Sequence, residues 1–119
     1  MSKKSIKSFE GVKIFKKNYF ESRIGYFVET YRDHWLEKKF VQDSVSLSKK
    51  AGVIRGLHLQ TGDAAQAKLI SVLDGSIQDY FVDLRLNSSK FGNYGSIKIS
   101  KLNNKTLFCL GVCPWIYFT

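Results

Sequence analysis

The sequence predicts an all-β domain, folded as a sandwich or barrel of short antiparallel strands. The 119 residues suit a single domain, which we place at residues 11–119 behind a basic lead-in at residues 1–10. Short segments rich in aromatic and β-branched residues recur along the chain, and turn-forming residues separate them. The chain has one proline and no visible repeat or linker. Short strands at regular spacing are typical of sandwiches and barrels.

The first half of the chain contains three predicted strands and one predicted helical turn. Val12–Phe15 alternates apolar and polar side chains, as a strand with one buried face does. Gly25–Tyr31 is rich in aromatic residues and predicts a second strand. A short helical turn is expected in Tyr31–Lys39, followed by a strand at Phe40–Ser48. Lys49–Gly52 then predicts a turn.

The second half is expected to centre on one hairpin. Gln66–Leu73 and Ser76–Leu84 are predicted to be partner strands, because Asp74-Gly75 between them is a strong hairpin signal. Tyr94–Ile99 predicts a further strand. Three predicted loops surround these strands: Thr61–Ala65, Asn87–Asn93 and Leu102–Lys105.

Composition and charge narrow the class of protein. No apolar run is long enough to span a membrane, and the basic start lacks the apolar stretch of a signal peptide, so we expect a cytoplasmic protein. Cys109 and Cys113 are too few for a zinc site or a disulfide framework. The net charge of +9 would suit nucleic acid or a small anion such as a nucleoside diphosphate. Without an arginine-rich helix, zinc-finger spacing or P-loop, we expect a solvated basic terminus and no nucleic-acid partner.

Three short stretches place polar groups inside otherwise apolar strands. They are Arg55–Gln60, Gln66–Ile70 and Asp79–Arg85. On an ideal strand His58 shares a face with Gly56 and Gln60, whereas Arg55 points the other way unless Gly56 permits a bulge. An imidazole can act as a base near neutral pH, and a lysine ammonium such as that of Lys68 can stabilise an oxyanion. The combination fits proton abstraction next to a carbonyl, followed by reprotonation.

Five blocks of the sequence, in matching order and spacing, resemble the dTDP-4-dehydrorhamnose 3,5-epimerase family. They are Gly52–Gln60, Gln66–Ile70, Asp74–Gly75, Val82–Arg85 and Ser88–Gly92. The similarity extends upstream to Gly25–Glu29 and Phe40–Asp43, and covers the chain from about Val12 to Phe108. The resemblance implies a cupin-like antiparallel jelly roll, usually a homodimer. It implies conversion of dTDP-4-dehydro-6-deoxy-D-glucose to dTDP-4-dehydro-L-rhamnose, without cofactor or metal.

The resemblance also implies roles for individual residues. His58 would be the general base that removes the protons at C3 and C5, Lys68 would stabilise the enolate at O4, and Asp83 would be an acid near that centre. The implied substrate-binding positions are Arg23, Glu29, Gln42, Ser44 and Arg55, with Glu29 meeting the thymine base across the dimer.

The chain departs from the family pattern at two of these positions. The family has an arginine directly before the glycine of Gly-x-Phe-x-Glu, where this chain has Ile24, with Arg23 one position earlier. Ser44 replaces an asparagine and has a shorter side chain than that amide.

The largest departure follows Phe108. The family continues with Gly-Phe-Ala-His-Gly-Phe and a long C-terminal part that carries the general acid. One choice of codons for Gly111–Tyr117 encodes that hexapeptide when it is read from the second base. We therefore expect a frameshift near Cys109–Gly111, a jelly roll incomplete at its C-terminus, and little or no epimerase activity from this chain alone.

Three other functions stay open on the sequence. The chain could be a non-catalytic cupin-like module that binds a nucleotide sugar without turnover. A metal-dependent cupin enzyme would need a His-x-His pair with a glutamate soon after, whereas residues 56–60 supply one histidine and His34 is distant. A nucleic-acid binder would rest on charge alone. Within the epimerase reading, the blocks do not separate inversion at two carbons from inversion at one.

Overall fold

The computed structural model describes residues 2–5, 11–110 and 115–118. This part contains ten strands: β1 (Ser2–Ser5), β2 (Val12–Lys16), β3 (Tyr19–Ser22), β4 (Gly25–Val28), β5 (Ile54–His58), β6 (Lys68–Ser71), β7 (Ser76–Val82), β8 (Tyr94–Ser100), β9 (Lys105–Cys109) and β10 (Trp115–Phe118). Its helical residues form two 3₁₀ turns, Asp33–Trp35 and Gly62–Ala64. No helix among the described residues has the length and apolar character needed to cross a bilayer.

Two four-stranded antiparallel sheets form the body of the protein, and we call them sheet A and sheet C. Sheet A has the strand order β1-β2-β9-β6, and sheet C has the order β5-β10-β7-β8. A separate hairpin, β3–β4, projects from the chain between β2 and the first 3₁₀ turn. All pairings are antiparallel. The predicted all-β jelly roll is therefore confirmed.

The core lies between the two sheets. Val12 and Leu107 from sheet A pack in one buried cluster with Phe81 and Ile99 from sheet C. Alternation along each strand sends every second side chain into this layer, which is why the apolar residues of β7 and β8 recur with a period of two. Burial of each such side chain stabilises the fold by about 1.5–3 kcal/mol.

A second apolar cluster covers the outer face of sheet A. Phe15 and Phe108 contribute from the strands, and Leu36 packs over them from the segment after the first 3₁₀ turn. Phe40 meets Phe108 edge-on with ring centroids 6.2 Å apart, and Tyr31 meets Phe40 at 5.4 Å. These contacts fix the start of residues 38–51, which we call the extended segment.

Three expectations from the sequence were wrong. Phe40–Ser48 is extended but belongs to no sheet among the described residues. Asp74-Gly75 does form a sharp bend, with Gly75 at φ +77°, but β6 pairs with β9 and β7 with β8 and β10. The bend therefore carries the chain from sheet A to sheet C instead of closing a hairpin. In the predicted lead-in, Ser2–Ser5 form β1 and pair with β2.

Other predicted elements are confirmed within a few residues. β2, β8 and the first 3₁₀ turn lie where alternation and the helical-turn expectation placed them. β2 was predicted from the alternation of apolar and polar side chains in Val12–Phe15.

Candidate active site

An open cleft lies between the extended segment and residues 65–77, and β5 contributes Arg55, Gly56 and His58 to its lining. Its volume of about 1740 Å³ exceeds the roughly 300–1,000 Å³ of a typical small-molecule pocket, so it is a wide trough and not an enclosed cavity. Five of the residues singled out from the sequence line this one cleft: Gln42, Ser44, Arg55, His58 and Lys68.

A bulge in β5 aims Arg55 and His58 in the same direction. On β10, positions 115 and 117 are two residues apart, but their partners on β5, His58 and Arg55, are three apart. The extra residue sits at Gly56–Leu57, where Gly56 has φ +112°. Because an extra residue reverses the alternation, both side chains lie on the face that also carries Phe81. From the sequence, Arg55 was expected to point away from His58 unless Gly56 permitted a bulge, and that bulge is present.

Lys68 faces His58 from the other sheet. In β6, Lys68 is the direct partner of Cys109, which is fully buried in the core layer of sheet A. Cross-strand partners share a face, so Lys68 points toward sheet C. Its Nζ donates a hydrogen bond of 2.7 Å to Oε1 of Gln66, which also lines the cleft.

Arg55 connects the cleft to the extended segment. Its Nη2 donates a hydrogen bond of 3.1 Å to the carbonyl oxygen of Leu47. Its Nε is buried and meets no hydrogen-bond acceptor in the described part of the chain. A buried donor without an acceptor costs about 1–3 kcal/mol, so the guanidinium is ready to take an anionic or carbonyl ligand.

The extended segment supplies the remaining polar groups of the cleft. Nε2 of Gln42 donates to Oγ of Ser44 at 3.4 Å, so the two side chains lie on the same side of the chain. The two ends of the segment add two lysine pairs to the lining, Lys38–Lys39 and Lys49–Lys50. These four lysines were not among the residues selected from the sequence, which predicted a helical turn at Tyr31–Lys39 and a turn at Lys49–Gly52.

Asp83 lies outside the described lining of the cleft and is held in a turn. Arg85 donates to it from the backbone nitrogen and Nε at 3.0 Å each and from Nη2 at 2.9 Å, and Ser88 Oγ donates at 2.6 Å. The hydrogen bonds from Arg85 hold the pKa of this carboxyl far below its usual range, with help from Ser88. All of these contacts organise the loop that follows β7.

Asp79, four residues before Asp83 and within β7, has the opposite surroundings. It is fully buried, and no described residue donates a hydrogen bond to either carboxylate oxygen. Burial raises its pKa to about 7. Asp79 and Arg55 are both partners of position 117 on β10, so they flank that strand in one row of sheet C. Alternation in the sequence places Asp79 on one face with Asp83, and Ile77 and Phe81 flank Asp79 at the same spacing of two.

The structure does not bring Arg23 or Glu29 to the described lining of the cleft. Arg23 and Ile24 form the two-residue turn of the β3–β4 hairpin. Glu29 follows the hairpin and forms an ion pair with Arg32. Neither residue therefore lines the described cleft together with His58 and Lys68 in this protomer.

Metal ligands are not gathered anywhere in the described part of the chain, where no group of three histidine, cysteine or acidic side chains could hold an ion. Cys113 and the predicted frameshift at Cys109–Gly111 fall wholly or partly on residues 111–114, which are outside the described residues.

Comparison with known proteins gives one consistent family. Residues 7–112 match the family model described as dTDP-4-dehydrorhamnose 3,5-epimerase. The chain is 38% identical over 106 residues to the enzyme of that name from Methanothermobacter thermautotrophicus, covering 85% of this chain and 56% of the relative. It is 37% identical over 103 residues to the enzyme from Salmonella typhimurium, covering 82% of this chain and 56% of the relative. The chain thus spans a little over half the length of these relatives.

Solved structures agree with the sequence relatives. The enzyme from Bacillus anthracis, with TDP and PPi bound, superposes with a TM-score of 0.90 at 35% identity, over 99% of this chain and 71% of that one. The enzyme from Legionella pneumophila, in complex with dTDP-4-keto-L-rhamnose, gives 0.86 at 30% identity, over 93% and 61%. With the family model matching most of its length, this chain belongs to the dTDP-4-dehydrorhamnose 3,5-epimerase family.

Proposed function

We propose that the cleft performs the proton transfers of a dTDP-4-dehydrorhamnose 3,5-epimerase. The substrate would be dTDP-4-dehydro-6-deoxy-D-glucose and the product dTDP-4-dehydro-L-rhamnose. The observation that carries the proposal is that His58 and Lys68, from facing sheets, line one cleft with Arg55, Gln42 and Ser44. Relatives of the same family hold TDP or a dTDP-keto-sugar in their structures.

In the proposed mechanism His58 takes the proton from the carbon next to the C4 carbonyl. The electron pair of that C–H bond forms a C=C bond to C4, and the carbonyl π electrons move to O4. Lys68 supplies a positive charge beside the resulting oxyanion, which stabilises the enolate most where water is scarce. Water in the open cleft returns a proton to the opposite face of the carbon and so inverts it, and His58 gives its proton to the solvent. The same sequence at C5 and C3 gives the double epimer, and it needs only proton movement, so no cofactor is assigned.

The remaining site residues are proposed to hold the substrate. Arg55, Gln42 and Ser44 would contact the sugar and its first phosphate. Asp83 is fully engaged by Arg85 and Ser88, and we therefore propose Asp79, buried on the inner face of β7, as the acid that influences the cleft. Asp79 lies in the same row of sheet C as Arg55. When ionised, it would stabilise the positive charge of the Arg55 guanidinium.

We further propose that two copies of the chain associate through the β3–β4 hairpin. Phe20 and Phe27 are direct partners on one face of the hairpin, and they are 60% and 65% exposed. A second copy covering this face would bring Arg23 and Glu29 toward its cleft. Sedimentation at the concentrations used for activity tests this arrangement, and a protein that stays monomeric throughout contradicts it. A cytoplasmic location is proposed because the diphosphate substrate is charged and does not partition into a bilayer.

Deuterium exchange tests the enzymatic proposal directly. The substrate is incubated with the protein in D₂O, and the C3 and C5 proton signals are followed by NMR. We expect exchange above the buffer rate but slow for an enzyme, because the wide cleft leaves His58 exposed to water. Tight binding of the substrate without exchange at either carbon would instead identify a non-catalytic binding module.

A further inference from the structure

We propose that Lys49 and Lys50 bind the diphosphate of the nucleotide sugar, with Lys38 and Lys39 giving weaker support from the other end of the extended segment. The inference rests on the proposed function, because it assigns the phosphate-binding groups of the same cleft. None of these four lysines is among the substrate-binding positions expected from the sequence, which include Arg23 of the β3–β4 hairpin.

The charge of the cleft supports this assignment. Its described lining contains six permanent cations: Lys38, Lys39, Lys49, Lys50, Arg55 and Lys68. The carboxylates among the described lining residues are Asp43 and Asp74. The lining therefore carries a surplus of about four positive charges, and a concave surface of one sign concentrates ligands of the opposite sign.

The backbone places the two lysine pairs at fixed points. Lys49 and Lys50 stand in the turn that leads into β5, which closes at Gly52 with φ +83°. Only Ala51 and the three residues Gly52, Val53 and Ile54 separate Lys50 from Arg55. This lysine pair therefore enters the cleft at the end that Arg55 lines. Lys38 and Lys39 directly precede Phe40, which is held against Phe108. The carbonyl of Leu47 is held by Arg55. Both ends of the segment are thus anchored to the sheets.

The β3–β4 hairpin adds no charge to the described lining of the cleft. In its turn Ile24 is 99% exposed, and Arg23 is exposed beside it. Neither residue is part of the described lining of the cleft. Lys49 and Lys50, in contrast, belong to the same protomer and the same cleft as His58. A lysine ammonium suits this task, because it binds phosphate as a point charge on a flexible stem.

Binding of thymidine diphosphate to matched variants tests the inference. Calorimetry is performed on the wild-type protein, on K49Q/K50Q and on K38Q/K39Q. The control is K98Q/K105Q, which removes two exposed lysines of β8 and β9 that are not part of the described cleft lining. Every variant loses the same charge, so a general change in electrostatic attraction affects all of them equally.

We expect K49Q/K50Q to raise the Kd for thymidine diphosphate about tenfold, since each exposed ion pair contributes modestly. The loss should be smaller for thymidine monophosphate, and the salt dependence of Kd should become shallower. K38Q/K39Q should show a smaller loss, and K98Q/K105Q none. Unchanged urea midpoints show that every variant is folded.

Two results would overturn the inference. One is a K49Q/K50Q protein that binds thymidine diphosphate as the wild type does. The other is an equal loss in K98Q/K105Q. Either result leaves the proposed epimerase function standing if the wild-type protein still exchanges the C3 and C5 protons, so the two proposals fail separately.

Discussion

The turn around Asp83 and the cleft around His58 are two polar regions of one small fold, and they are built in opposite ways. Around Asp83, four hydrogen bonds converge on one buried carboxylate, and its backbone groups are bonded as well, to Asn93 and Gly92. Around the cleft, His58 is exposed, the Nε of Arg55 is buried without an acceptor in the described part of the chain, and two lysine pairs face an open trough.

The difference shows that the turn around Asp83 stabilises the fold, whereas the cleft around His58 is built to accept a ligand. A buried ion pair with all its hydrogen bonds made contributes to a fixed geometry, and breaking it leaves an uncompensated charge. A buried donor that lacks an acceptor, such as Nε of Arg55, reduces the stability of the free protein but is available to a ligand. Asp79 falls between the two regions, because it is as buried as Asp83 and yet has no described donor.

The largest expected effect is on catalysis at His58. The substitution H58N should reduce deuterium exchange at C3 and C5 by about 10³-fold, because it removes the base from the reaction. Stability should change by no more than about 0.5 kcal/mol, since the side chain is exposed. Exchange by NMR and urea unfolding are measured on the same sample. A large fall in the urea midpoint would show that the cleft is as structural as the Asp83 turn.

A smaller but still substantial effect is expected at Asp83. The substitution D83N should lower the free energy of unfolding at pH 7 by about 3 kcal/mol, because it leaves the Arg85 guanidinium without its charged partner. The pKa of Asp83 is lowered in the folded protein, so its contribution is present above the unfolded value near 4 and is lost as the pH falls through the folded value.

Urea titrations at pH 7 and at pH 3 check this prediction, with D74N at an exposed aspartate as the matched control. The difference between wild type and D83N should shrink at the lower pH. D83N should also retain proton exchange at temperatures where it is folded. Loss of exchange in a fully folded D83N protein would restore Asp83 to the catalytic site.

The smallest expected effect has the opposite sign and concerns Asp79. Burial raises its folded pKa to about 7, above the unfolded value, so the folded state binds an extra proton between about pH 4 and pH 7. Wild-type stability should therefore decline across that range. The substitution D79N should remove this slope and stabilise the protein at pH 8 by about 2 kcal/mol, roughly half of the limit set by a three-unit shift, because the amide is itself left without partners.

Thermal or urea unfolding of wild type and D79N at pH 4 and pH 8 measures this difference. The two proteins should be closest at pH 4. A wild-type protein that is equally stable at both pH values would mean that Asp79 acquires a partner in solution, and the contrast with Asp83 would then disappear.

Local patterns in the sequence were enough for much of the fold but not for its sheet order. β2 was predicted because Val12–Phe15 alternates apolar and polar side chains, and β8 because Tyr94–Ile99 is a short segment between two predicted loops. The bend at Asp74-Gly75 was also predicted, but a turn signal reports the local path of the backbone and not the sheet that each neighbour joins. The extended segment has the composition of a strand, and it is not one here because no described strand lies beside it to complete its hydrogen bonds.

The candidate site was predicted in part for a similar reason. His58, Lys68 and Arg55 occur in blocks with a fixed order, and the structure places all three in one cleft. Asp83 and Asp79 stand on the same face of one strand in the sequence, so alternation could not rank them. Arg85 and Ser88 distinguish the two, because their hydrogen bonds reach only the later aspartate. The lysine pairs belong to segments whose path over the cleft is set by tertiary contacts.

Because of the extra residue at Gly56–Leu57, the number of residues in β5, and not only their identity, decides whether Arg55 and His58 reach the cleft. The extra residue shifts the alternation of side chains by one position. Arg55 before it and His58 after it therefore point to the same side of the strand. Deletion of one residue there would turn one of the two side chains outward without changing any side chain in the cleft. An insertion or deletion in β5 should therefore damage the cleft even when Arg55 and His58 are both retained.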